Sequence, residues 1–281
     1  MRRLVVCILL LVLVGAAFPA QARGQSTEGL ELAYTLTLRA PDVVDVEVQL
    51  RGAPPGETVL GFGPMASFLG AIPDIVPLFS VVSASAPDGS ELAWRWNERD
   101  VVVVNGSLPE FTLTYTINGD RLHKGGTPER FAIFRPDMLM FAPCDVLPFP
   151  RATPSRISLR LNKPEGLQVF SSLHEKDGVF EAAPELWGNL LWDFQMAYFI
   201  GGRAANTVTH TTEWGDTYLY LSFGEWWDPK LISPQSYLNL VESIAKHFRD
   251  TIGPLPPRKV ILFDGRWAAG QPEVKSMVDC Y

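Results

Sequence analysis

The chain has 281 residues, 47% of them hydrophobic, 20% charged and 11% aromatic, with 23 glycines and 23 prolines. That composition excludes a disordered chain, and a proline share of about 8%, against a usual share of roughly 5%, speaks against a long-helix bundle. Lys and Arg number 24 against 31 Asp and Glu, a net charge of −7, and no basic cluster follows the first three residues, so nucleic acid is excluded as a partner.

Arg2 and Arg3 precede the apolar run from Leu4 to Val14, and Ala20-Gln21-Ala22 follows Pro19. A positive start, a short apolar stretch and a small-x-small site describe a secretory signal peptide over residues 1–22. The run is shorter than the roughly 20 residues a helix needs to cross the hydrocarbon core. The competing reading is an uncleaved anchor. The sequence is read as an exported protein, secreted or periplasmic, with no stable membrane insertion after cleavage. Cys144 and Cys280 then remain. Export permits a bridge between them, and two separate thiols fit as well.

Alternation begins at residue 30. Leu32, Tyr34, Leu36 and Leu38 share one parity, and after Ala40-Pro41-Asp42 so do Val44, Val46, Val48 and Leu50. A period of two predicts half-buried strands. Further strands are predicted at 58–62, 78–84, 91–95, 100–104 and 110–118. Pro87-Asp88-Gly89 and Asn118-Gly119-Asp120 give turns, and Asn105-Gly106 has hairpin character. The apolar stretch 131–150 is read as core rather than binding surface. Alternation resumes at 157–161 and 168–170, His174-Glu175 is placed in a turn, and the aromatic region 186–202 is again read as core. Strands this closely spaced predict a mainly β fold, an antiparallel sandwich or a large curved sheet.

From residue 214 the pattern changes. Thr217–Phe223 reads as a strand. Ser233 and Pro234 open a helix as N-cap and first residue, and Tyr237, Leu240, Val241, Ile244, Phe248 and Ile252 form its apolar stripe. Gly253 is expected to close it as a left-handed cap, and Lys259–Phe263 follows as a strand. The sequence thus divides into a β domain at 23–213 and an incomplete strand-helix-strand (α+β) segment at 214–281.

Chemistry-bearing patterns are sparse. His123, His174, His210 and His247 contain no pair at i, i+4, so a His-Glu-x-x-His zinc helix is absent. A Gly-x-Ser-x-Gly elbow and a phosphate loop are absent too. Cys144 reads as a small buried residue rather than a nucleophile. The acids Glu213, Asp216, Glu225 and Asp228 stand near Trp214, Trp226 and Trp227, the components of a carbohydrate-active hydrolase with paired carboxylates, although such acids are also common on surfaces.

Several pieces in their order resemble the N-terminal region of the glycyl aminopeptidase family of secreted or periplasmic metallopeptidases and of the related aminopeptidase-N-like clan. They are Leu32–Leu38 with Val44–Leu50, then Asp88-Gly89-Ser90-Glu91-Leu92-Ala93-Trp94, then Phe111-Thr112-Leu113-Thr114-Tyr115, followed by Phe131–Phe141, Leu186–Phe199 and Tyr218–Phe223. Tyr237–Gly253 followed by Pro256-Pro257-Arg258-Lys259-Val260-Ile261-Leu262-Phe263 looks like the first helix and next strand of the catalytic domain. The match covers most of residues 30–265 and rests on order and spacing.

The resemblance implies a β-sheet domain followed by the start of a catalytic-type α/β domain. In a full-length parent it implies a zinc aminopeptidase acting on peptides. The family's zinc helix and downstream glutamate have no counterpart here, and Ala268-Ala269-Gly270-Gln271-Pro272-Glu273 does not match the Gly-x-Met-Glu-Asn loop of the aminopeptidase-N branch. No catalytic, cofactor-binding or metal residue is therefore assigned, and zinc is implied only for the parent. The expected partners are a missing catalytic domain or a peptide substrate, and the chain is expected to be a fragment or truncated relative, inactive alone. The alternatives are a stand-alone secreted β-sandwich that binds peptide or carbohydrate, and the carbohydrate-active hydrolase.

Overall fold

The computed structural model describes residues 29–39, 43–62, 79–98, 100–118, 132–135, 138–182, 190–203, 205–223, 233–253 and 259–263. The expected signal peptide, His123, the acids and tryptophans at 225–228, and Cys280 lie outside the described residues. The opening alternation yields strands β1 (Glu31–Arg39) and β2 (Val43–Arg51). Leu32, Tyr34 and Leu36 on one, and Val44, Val46, Val48 and Leu50 on the other, point into the core.

Strands β3 (Gly56–Phe62) and β4 (Phe79–Ser85) follow. The run 91–95, expected as one strand, breaks at Ala93 into β5 (Glu91–Leu92) and β6 (Trp94–Asn97). The break arises because β5 pairs with β4 while β6 pairs in another sheet with β7 (Asp100–Gly106). Asn105-Gly106 also differs from expectation. It leads from β7 into β8 (Glu110–Asn118), which belongs to the sheet of β4, so it is a corner between sheets rather than a hairpin. Asn105 is buried there, and its amide donates to the carbonyls of Pro54 at 2.9 Å and Leu108 at 2.8 Å. Those bonds satisfy a polar group that would otherwise be costly to bury.

The apolar middle forms β9 (Ala132–Arg135), β10 (Met138–Phe141), the short helix α1 (Pro143–Val146) and β11 (Pro148–Pro150). Then come β12 (Arg156–Asn162), β13 (Gln168–Ser171), β14 (His174–Lys176) and β15 (Val179–Glu181). His174 and Glu175 are therefore in a short exposed edge strand. The turn that folds it onto β15 is Asp177-Gly178, both at positive φ. Helix α2 (Leu190–Gln195), β16 (Phe199–Gly202), β17 (Ala205–Thr211), β18 (Thr217–Phe223), helix α3 (Pro234–Ile252) and β19 (Lys259–Phe263) complete the order.

These strands make four sheets: β14-β15-β12-β1-β2-β8-β4-β5, then β13-β16-β10-β9, then β11-β3-β7-β6, and β17-β18-β19. Most pairings are antiparallel. β1 with β12 and β18 with β19 are parallel, and α3 is the crossover between the second pair, as a parallel connection requires.

Side-chain parity sorts the sheets into layers. The inner face of the eight-stranded sheet packs on the sheets of β3 and β10 and on Phe194 of α2, in one continuous core. Phe141 and Phe199 stack at 4.8 Å within it, and Phe180 meets Phe199 edge-on at 5.0 Å. The other face of the β10 sheet, through Met140, Tyr198 and Ile200, packs on Leu219, Leu221 and Ile261 of the last sheet. The far face of that last sheet, through Tyr218 and Tyr220, receives Leu238 of α3. A sheet covered on both sides explains why residues 138–141 and 198–202 are apolar without alternation.

Helix α3 begins as expected, with the Ser233 hydroxyl accepting from the Ser236 amide at 3.2 Å and Pro234 in the first position. Its buried face is rotated from the expected stripe. Leu238 is fully covered, with Tyr237, Val241 and Ala245 beside it, while Leu240 is 50% and Ile252 66% exposed. At Gly253 φ is 102° but ψ is 175°, so the helix ends on a positive-φ conformation that favours glycine, outside the left-handed helical well, its amide donating to the Arg249 carbonyl.

Candidate functional site

The three described histidines are apart. His174 lies on the edge strand β14 and His247 on the exposed face of α3. His210, on β17, meets Glu242 of α3 at 2.8 Å, with both side chains about three-quarters covered. This contact ties the helix to its sheet. Among the described residues no three His, Cys, Asp or Glu side chains are grouped to hold a metal ion. No third donor joins His210 and Glu242 among the described residues.

The acids near Trp214 sort differently. Glu213 is exposed in the turn between β17 and β18. Asp216 is 7% exposed, and its carboxylate accepts from the Trp214 indole at 2.8 Å and the Tyr218 hydroxyl at 3.3 Å. Its amide donates to the Thr212 hydroxyl, and the Thr212 amide donates to its carbonyl. Arg249 of α3 lies over the Trp214 ring, 5.4 Å from its centre. This knot fixes the turn and the helix end, and it commits the Asp216 carboxylate to structure. Cys144 is buried in the layer between the β10 sheet and the last sheet, where it packs as an apolar side chain.

Two phenols serve the main core. Tyr34 donates to the Pro148 carbonyl at 2.6 Å, and Tyr115 donates to the Val146 carbonyl at 2.7 Å. Burial pushes both phenols well above the ordinary tyrosine value, with the neighbouring Tyr115 adding to the effect at Tyr34. Both are positioning contacts that hold the α1–β11 segment against the large sheet.

The residues that line a concave surface are ones the sequence did not single out. On the outward face of the eight-stranded sheet, Glu31, Ala33 and Thr35 of β1, Gln49 and Arg51 of β2, and Arg156, Ser158 and Arg160 of β12 surround a depression of about 370 Å3. Register explains its shape. Ala33 stands opposite Ser158, Glu31 opposite both Arg51 and Arg156, and Thr35 opposite Arg160. Two small residues form the floor, and long side chains stand at either end. Arg156 is engaged by Glu181, with contacts of 2.5 and 3.2 Å, and that hydrogen bond holds its guanidinium further above its usual value. The signal available in sequence was the outward parity of three arginines, but they lie on strands far apart in the chain.

Among solved structures, the chain matches a crystal structure of an aminopeptidase N family protein from Idiomarina loihiensis, with a TM-score of 0.63 and 14% identity over 82% of this chain and 38% of that one. The layered fold is shared. A second match is an M1 zinc metallopeptidase from Deinococcus radiodurans, at a TM-score of 0.48 and 14% identity, over 85% of this chain and 57% of that chain. The present chain thus spans well under two thirds of the length of either. No family model matches it, and no curated protein does. None of the described helices is long and apolar enough to cross a membrane.

Proposed function

We propose that the chain is the exported, non-catalytic N-terminal portion of a zinc aminopeptidase-like protein, supporting or shaping a peptide site whose zinc ligands lie outside it. One observation carries this reading. The fold matches that of an aminopeptidase N family protein over 82% of this chain but only 38% of that one, while the described residues bring no metal-binding group together. Export rests on the Arg2-Arg3 start, the apolar run and the Ala20-Gln21-Ala22 site. The division at residue 213 remains part of the same proposal, with β17 and β18 pairing across it. In this reading the main core positions α3 and β19 as the first elements of the catalytic unit, and the partner is that unit or its peptide substrate.

The test has two parts. The coding DNA downstream of residue 281 is expected to continue into a His-Glu-x-x-His segment. The isolated chain is expected to release no arylamine from aminoacyl arylamides, with or without added zinc, whereas the extended protein does so and loses the activity to a chelator. Zinc-dependent hydrolysis by the isolated chain would overturn the proposal, and so would a stop codon directly after Tyr281.

A further inference from the structure

The outward face of a sheet in a chain of net charge −7 is an unexpected place for three arginines around one depression. Elsewhere among the described residues several cations are neutralised locally. Arg39 meets Asp45 at 2.5 Å, Arg95 forms a fork with Glu57 at 2.8 Å, and Lys246 meets Asp250 at 3.0 Å. In the depression only Arg156 is engaged that closely, by Glu181. Arg51 stands 3.9 Å from Glu110, beyond hydrogen-bonding distance, and its side chain is 61% exposed. Arg160 makes no hydrogen bond or ion pair with any described residue, although it lines the same cavity.

Geometry turns these charges into a site. Arg51 and Arg156 flank Glu31 from the two neighbouring strands, so their backbones are about 10 Å apart, two strand spacings. Arg160 lies four residues along β12 from Arg156, about 13 Å at the rise of a strand. Ala33 and Ser158 keep the floor low between them. Thr35, Gln49 and Ser158 add uncharged hydrogen-bonding groups, and among the described lining residues the one aromatic is the buried Tyr34. Three guanidinium groups over a polar floor without an aromatic platform suit a small ligand rich in anionic oxygen, because the guanidinium fork matches carboxylate and phosphate alike. Glu31 is the one acid among the described lining residues. Arg156 is already paired with Glu181 and Arg51 lies 3.9 Å from Glu110, so Arg160 is the arginine of the depression without a carboxylate partner among the described residues.

We propose that this depression binds a small multivalent oxyanion, with the unpaired guanidinium of Arg160 and the loosely paired one of Arg51 as its principal donors, Arg156 as a pre-oriented wall, and Ala33 and Ser158 as the floor. The site is independent of the aminopeptidase reading, since it lies on the face opposite to the one that packs on the other layers. The shared chemistry is the oxyanion. Its source is either a polycarboxylate or a phosphate.

The experiment is isothermal titration of the full chain with citrate in one arm and inorganic phosphate in the other, at low ionic strength. Saturable binding at one site is expected in at least one arm, weakening as salt is raised, and the arm that binds tighter identifies the source. Arg160→Gln removes a donor and Ala33→Gln fills the floor without changing charge. Each is expected to lower affinity about tenfold or more, the loss of one charge-assisted contact or of the space for it, with the unfolding midpoint unchanged. Arg95→Gln, on another sheet, is expected to leave affinity as it was. No saturable binding in either arm overturns the proposal. So does binding that survives both Arg160→Gln and Ala33→Gln, or that falls equally with Arg95→Gln.

Discussion

Phe199 and Leu238 are both fully buried, yet they sit in cores of different extent. Phe199 belongs to a continuous cluster that spans three sheets and α2, with aromatic partners on two sides. Among the described residues Leu238 belongs to a cluster with Tyr218 and Tyr220 as its other buried members, and the outward flank of its helix carries Leu240 and Ile252 exposed. The difference teaches that coverage of one residue does not measure how well its neighbourhood is closed. The main β layers share one continuous core, whereas α3 is held by Leu238 with the half-buried Tyr237, Val241 and Ala245, the His210–Glu242 contact and the knot around Asp216.

Mutations can break or sharpen this contrast. Phe199→Ala is expected to cost about 3–5 kcal/mol, read from urea unfolding, and to destabilise every layer together. A loss below about 1.5 kcal/mol would mean that the stack collapses around the gap and is less tightly packed than its ring distances indicate. Leu238→Ala is expected to cost about 2–3 kcal/mol but to act locally. Hydrogen exchange should show lost protection in α3 and β18, while β1, β2 and β8 keep theirs. Equal losses in both regions would make them one cooperative unit.

Tyr115→Phe leaves the Val146 carbonyl without its donor and is expected to cost about 1–3 kcal/mol. The same phenol gives a pH signature. Its value in the folded protein is raised, as is that of Tyr34, so their contribution is complete below about pH 10, the unfolded tyrosine value, and declines as pH rises beyond it. Absorbance at 295 nm should therefore show these two phenols ionising only as the protein unfolds. Smallest of all, Leu240→Gln and Ile252→Gln are expected to change stability by no more than about 0.5 kcal/mol, while reducing the binding of an apolar dye. A larger loss would show that this flank of α3 is covered in solution.

The elements that were legible in sequence are those with one wet face. β1 and β2 announce themselves by alternation because water meets every second side chain. The N-cap of α3 was legible because Ser233-Pro234 is a local signal, independent of what the helix packs on. Its buried face was not, since Leu238 and Leu240 are equally apolar and only the position of Tyr218 and Tyr220 decides between them. The splits at Ala93 and Asn105 escaped because a strand that changes sheet keeps its strand character. The arginine depression escaped for a related reason. Arg51 and Arg160 come to line one depression only through the pairing of β1 with β12, which joins residues 125 apart in the chain, as in Thr37 with Asn162. Of the sequence candidates for chemistry, Cys144 packs between two sheets that meet only in three dimensions, whereas the partners of Asp216, namely Thr212, Trp214 and Tyr218, are local in sequence.

That parallel pairing has a consequence for how the molecule comes into being. β1 is among the first strands of the described fold to be synthesised, and one of its edges waits for β12 until more than a hundred further residues have been made. During that interval β1, β2, β8 and β4 can assemble as a sheet with an open row of amides and carbonyls at β1, the kind of edge that recruits foreign strands. Closure over such a sequence separation is slow. The newborn chain therefore passes through a stage in which its largest sheet is half made and adhesive, and a chaperone that shields the edge of β1 would protect it at the moment of greatest risk.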